Sequence, residues 1–221
     1  MKPQTHPLFI LVFLLAIAFL FSGCNIDASK IHTDRIVAPE VHSDNTQTHH
    51  ADTKVEPAKK AVVSRVSDVD KTDYLDAINA ARAETQDCGS AGVFDPAPDL
   101  RWDDRLGNAA WEHSDDMAQS NTFAHDGSGT ASDRTAQEEG LGRGSHFTER
   151  IRHQGYTDYR AIGENIAAGA ASAQDVIAMW LQSDQHCANL MNPNFSDTGM
   201  ALVEKSHTDD GTYWSLELGG H

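Results

Sequence analysis

An unbroken apolar run from Leu8 to Phe21 opens the chain, and a long stretch without apolar periodicity follows it. The run is fourteen residues long, short of the roughly 20 that a membrane-spanning helix needs. Lys2 precedes it and the small residues Ser22 and Gly23 close it, which is the layout of a secretory signal. Residues 24–70 hold no glycine, no aromatic residue and no sustained period of 3.6 or 2.0. Such a segment cannot bury enough apolar area to offset its ordering entropy, so it reads as a disordered tether.

From residue 71 the pattern changes. Leu75, Ile78 and Arg82 follow Asp73 at helical spacing, with Asp73 as the expected cap. Glycines and prolines between Gly89 and Pro98 then mark a loop. A second helix is expected from about Asp103, with Leu106, Ala110, His113 and Met117 on one face. Residues 125–146 are rich in Gly, Ser and Asp and read as an irregular excursion. Phe147–Gln154 predicts a short helix that Gly155 stops. Ser172 caps a further helix with Val176, Ile177, Trp180 and Leu181 as its apolar stripe. Met200–Val203 and Tyr213–Leu218 read as strands joined by the turn Asp209-Asp210-Gly211. Helices first and antiparallel strands last indicate an α+β fold.

Composition sharpens the boundaries. Of sixteen aromatic residues, four lie in residues 1–24, none in 25–70 and twelve in 71–221. Residues 1–23 are therefore a signal, 24–70 a tether and 71–221 one folded domain of common size. The net charge is −16, and residues 71–221 carry 25 acidic against 10 basic side chains. That balance argues against nucleic acid as a partner, because phosphate binding needs clustered Lys and Arg.

Phe21-Ser22-Gly23-Cys24 resembles the lipobox of bacterial lipoproteins, in which the Cys becomes the first mature residue and carries the lipid. Phe21 stands where Leu is usual. This resemblance implies lipidation at Cys24, export, and a membrane anchor at the bacterial envelope, periplasmic or cell-surface. Asn25 departs from the best-known inner-membrane retention signal. With Cys24 lipidated, Cys88 and Cys187 are left to pair as a disulfide or to persist as two buried thiols.

Three further segments carry a second resemblance: Asp115-Asp116-Met117 through Phe123-Ala124-His125, Ile162-Gly163-Glu164-Asn165-Ile166-Ala167, and Trp180 through Pro193. Together with Tyr213-Trp214 they resemble the bacterial branch of the CAP superfamily (cysteine-rich secretory, antigen 5 and pathogenesis-related proteins; SCP-like domain) over about residues 72–219. The resemblance implies a three-layer α-β-α sandwich with a central antiparallel sheet, and it pairs Cys88 with the Cys after His186. The excursion from Ser132 to His146 departs from the pattern as an insertion beside the cleft.

By the same resemblance His125, Glu164 and His186 line a cleft in which some members bind zinc or another divalent cation. Ser183 stands where many eukaryotic members have a second Glu, and the adjacent Asp184 is a candidate substitute. Two imidazoles and a carboxylate suit zinc with an open position for water, and such water could drive hydrolysis. The intervals of 39 and 22 residues match no short metal motif, so spacing alone does not find this site. A buried His125–Glu164 pair that orders the cleft is the competing structural reading. His113, on an apolar helix face, reads as a core histidine, and Trp111 and Trp180 as core. Two functions follow: a binding module for a small apolar ligand, a metal ion or an envelope partner, or a metal-assisted hydrolase with His125, Glu164 and His186 as its candidate catalytic groups. The missing carboxylate favours binding.

Overall fold

The computed structural model describes residues 64–221. The expected signal, the expected lipidation at Cys24 and most of the expected tether lie outside the described residues. The order of elements is α1 (Asp68–Arg82), β1 (Gln86–Asp87), β2 (Val93–Phe94), β3 (Arg101–Trp102), α2 (Asp104–Ser120), α3 (Arg134–Glu139), α4 (Phe147–His153), β4 (Ala161–Ala168), α5 (Ala173–Leu181), α6 (Asp184–Leu190), β5 (Asp197–Glu204) and β6 (Thr212–Gly220). Among the described residues no helix is long and apolar enough to cross a membrane.

The domain starts earlier than the aromatic count suggests. Ser67, not Asp73, caps α1, with its side chain accepting from the Asp70 N–H. Ahead of it, Val66 is buried in the main core and the Arg65 N–H donates to Asn108 Oδ1 at 2.8 Å. Residues 64–70 therefore belong to the fold. A single buried valine and a serine cap do this work, and neither leaves a periodic signature.

The main sheet has the order β3-β5-β6-β4. β4, β6 and β5 pair antiparallel, while β3 joins β5 in parallel through two residues. Side chains alternate across β6, as a pleated strand requires. Trp214, Leu216 and Leu218 enter the core that includes Tyr74 and Ile78 of α1 and Val176, Ile177 and Trp180 of α5. Tyr213 and Ser215 face the other way: Tyr213 packs on Met117 of α2, and the Ser114 hydroxyl of α2 donates to Ser215 Oγ. Helices thus cover both faces, giving the expected α-β-α layering. Gly199 permits the close crossing of α2 over β5, because a Cβ there would collide with the Gly107 backbone.

Caps explain most helix ends. Asp103 accepts from the Arg105 N–H at the start of α2, and Asn121 ends it in the left-handed region at φ 52°. Ser172 caps α5 as expected. Gly155, just past α4, sits at φ 85°. The excursion contains one helical turn and a half, α3, capped by Asp133. β4 escaped the pattern reading because both its faces are buried, which removes the alternation that marks a strand.

Candidate functional site

Glu164 lies in the middle of β4, and its side chain is 1% exposed. Its two oxygens are used inside the fold. Oε1 accepts from His125 Nδ1 at 2.8 Å, and Oε2 accepts from Arg150 Nη2 at 2.7 Å. An ionised carboxylate only accepts, so the Nδ1 of His125 carries the proton. Burial alone would raise the Glu164 pKa, but the Arg150 guanidinium, followed by His113 and His125, holds it well below the usual carboxylate range.

Arg150 is the hub of this centre. It projects from α4 and is 1% exposed. Nη2 also donates to the His125 carbonyl at 2.9 Å, and Nη1 donates to the Ser145 carbonyl at 2.7 Å and hydroxyl at 3.2 Å. One guanidinium therefore fastens both ends of the 125–146 excursion to β4. Inside the excursion, Asp133 accepts from the Gly129 and Ser145 N–H groups and the Ser145 hydroxyl. Asp116 of α2 accepts from the Ser128 N–H and from the Ser128 and Ser132 hydroxyls. Glu112 of α2 accepts from the Thr135 N–H at 2.7 Å and the Gln154 amide at 3.0 Å. The insertion is thus bolted down by buried carboxylates.

Two further ionisable groups border Glu164. His113 of α2 is fully buried, as its helix face predicts, and its Nε2 lies 3.9 Å from Glu164 Oε2, too far for a hydrogen bond. Burial, then the Arg150 charge, push its pKa down to about 3. Glu217 of β6 is paired in register with Glu164 and is 0% exposed. The sequence reading missed it. Strand alternation puts it on the Tyr213 and Ser215 face, and an acid inside the run Tyr213–Leu218 was the available signal.

His186 is held by its own helix. Ser183, the N-cap residue of α6, lies with Oγ 2.8 Å from His186 Nδ1. The His186 carbonyl accepts from Asn165 Nδ2 at 3.0 Å, from the face of β4 opposite Glu164. Asp184 does not substitute for the missing carboxylate. It turns to Ser90, accepting from that residue's N–H at 2.9 Å and from its hydroxyl, because Gly89 and its neighbours are brought alongside α6 by the Cys88–Cys187 disulfide. That disulfide has a Cα–Cα distance of 5.4 Å and spans 99 residues. The pairing is the expected one.

Among the described residues no group of three His, Cys, Asp or Glu side chains is placed to hold a metal ion. Of the three expected ligands, Glu164 already shares its oxygens with an imidazole and a guanidinium, while the bonds of His125 to Glu164 and of His186 to Ser183 engage Nδ1 of each ring. A fixed cation 2.7 Å from the carboxylate opposes a second, divalent one. Glu164, so committed, does not fit a resident divalent metal, and none of the three is assigned as a ligand. Trp180 is core, donating from Nε1 to the Ile166 carbonyl. Trp111 instead is half-buried between the guanidinium groups of Arg65 and Arg134, 4.7 and 4.5 Å from its ring.

Open space is found elsewhere. A groove of about 400 Å³ runs between α1 and α5, with Ala77, Ala80, Ala81, Ile177, Ala178 and Leu181 along it and Asp76 and Gln174 at its rim.

Residues 75–218 match the family model described as the cysteine-rich secretory protein family, CAP. The chain is 30% identical over 121 residues to the uncharacterized protein YkwD of Bacillus subtilis (strain 168), covering 55% of this chain and 39% of that protein. It spans well under two thirds of that relative's length. An extracellular protein containing a SCP domain from Bacillus anthracis str. Ames is similar at 24% identity and TM-score 0.44, over 57% of this chain and 35% of that one. An outer surface protein from Borrelia burgdorferi is similar at 20% identity and TM-score 0.44, over 57% and 80%.

Proposed function

Because the chain belongs to the cysteine-rich secretory protein family, we propose that it is an exported binding module, held at the bacterial envelope by a lipid on Cys24, that takes a small apolar ligand between α1 and α5. The α1–α5 groove carries this reading. Its volume of about 400 Å³ lies within the roughly 300–1,000 Å³ usual for small-molecule sites. Alanines at 77, 80, 81 and 178 leave the space, while Ile177 and Leu181 supply apolar contact. Asp76 and Gln174 give the rim two polar groups that could orient a ligand's head. The Cys88–Cys187 disulfide is in keeping with export.

The hydrolase reading has weaker support. It needs Glu164 as ligand or base, and both Glu164 oxygens are committed to Arg150 and His125. The test is titration of the intact chain with an environment-sensitive apolar dye, beside Ala178→Phe, which fills the groove from an exposed position. Saturable fluorescence in the wild type that the variant loses, at unchanged melting temperature, is the expected result. Absence of saturable binding in the wild type, or equal binding in the variant, would overturn the reading. In cells, Cys24→Ser should move the protein from the membrane to the soluble fraction.

A further inference from the structure

Glu164 of β4, Glu217 of β6, Arg150 of α4 and His113 of α2 meet on one face of the β4–β6 pair, each 1% exposed or less. Glu112 of α2 and His125 border them. The register sets Glu164 directly across from Glu217, and side chains so placed are in contact. Written as ions, one guanidinium would serve two carboxylates in a space closed to water.

The hydrogen bonds are unequally shared. Glu112 gives its oxygens to Thr135 and Gln154, and Glu164 gives its own to His125 and Arg150. The Nη groups of Arg150 are spent on Ser145, His125 and Glu164. Glu217, in its ionised form, has no partner for either oxygen among the described residues. Two ionised carboxylates cannot hydrogen-bond each other, since neither donates. A single proton removes the repulsion and supplies the missing donor together.

We infer that Glu217 is a neutral carboxylic acid donating to Glu164 across the β4–β6 pair, so that Arg150 and this proton balance the charge behind His125. Burial and the Glu164 carboxylate both push the Glu217 pKa well above the usual range, in keeping with this assignment. Glu217 acts through Glu164: it is a positioning residue that keeps a fixed acceptor under His125 Nδ1. The inference is independent of what the α1–α5 groove holds.

The test is infrared spectroscopy of the intact chain at neutral pH with carboxyl-labelled glutamate, beside Glu217→Gln. Glutamine has the shape of the neutral acid and donates the same bond. The wild type should show the C=O stretch of a protonated glutamic acid, and Glu217→Gln should lose it without losing melting temperature. A wild type with every glutamate ionised, or a band that persists in the variant, would overturn the inference. Should the variant fail to fold, a pH series on the wild type decides. One labelled glutamate that stays protonated well above the others supports the assignment, and uniform titration in the ordinary acid range overturns it.

Discussion

Around Glu164, side chains from α2, α4, β4, β6 and the excursion close a buried set of charges, whereas around His186 the fold relies on a disulfide, on the Ser183 hydroxyl and on the neutral amide of Asn165. Arg150 reaches Ser145, His125 and Glu164 from one buried position. His186 by contrast pairs with Ser183 three residues away, beside Cys187. The first arrangement stores its stability in charge balance, which pH can upset. The second stores it in a covalent link and a side-chain bond within one helical turn, which redox state and local chemistry control. Residues that a family resemblance groups as one constellation are thus held here by two different kinds of force.

Breaking the covalent side should give the largest effect. A disulfide spanning 99 residues contributes up to about 4–5 kcal/mol in the chain-entropy account. Cys88→Ser, or reduction of the wild type, should lower the denaturation midpoint accordingly. Equal melting with and without reductant would contradict the pairing.

On the ionic side, Arg150→Met leaves Glu164 buried without its cation, which costs about 3–5 kcal/mol. Urea denaturation would measure it. The same variant should expose the 125–146 excursion to limited proteolysis, since both its ends hang on that guanidinium.

A pH series separates the two regions further. His113 is neutral in the fold, with a pKa lowered to about 3 from the ordinary 6.5. The unfolded chain takes up a proton in that window and the folded chain does not, so stability falls as pH drops below 6.5. The slope is about 1.4 kcal/mol per pH unit, or about 2 kcal/mol between pH 7 and 5. His113→Gln should flatten that limb of the stability curve, and an unchanged limb would remove His113 from the account. Ser183→Ala, the smallest change, removes the hydroxyl partner of His186 Nδ1 and should cost about 1 kcal/mol, the net worth of one hydrogen bond, in urea denaturation.

Where local chemistry repeats at a fixed spacing, the sequence was readable: the face Leu106–Met117, the helix start near Asp103, the cap Ser172, the hairpin closed by Gly211. It was unreadable where burial erases alternation, as in β4, or where a single residue anchors a segment, as Val66 does. His125 and Glu164, 39 residues apart, were found through resemblance and not through spacing. Asp184 looked like a substitute carboxylate because it is adjacent in the chain, yet the disulfide draws it to Ser90. The second buried carboxylate, Glu217, comes from a strand facing Glu164, a relation that exists only once β4 and β6 are in register. No hairpin turn joins β4 to β6, so the turn chemistry that fixes register between chain neighbours is absent from this pair.

Zinc titration by calorimetry on the intact chain at neutral pH, beside a His125→Ala, His186→Ala double variant, tests most directly whether the centre is closed to metal. With Arg150 and Glu164 already paired, both proteins should show no saturable heat. Binding near one equivalent in the wild type, lost in the double variant, would contradict the account and return Glu164 to the role of a ligand.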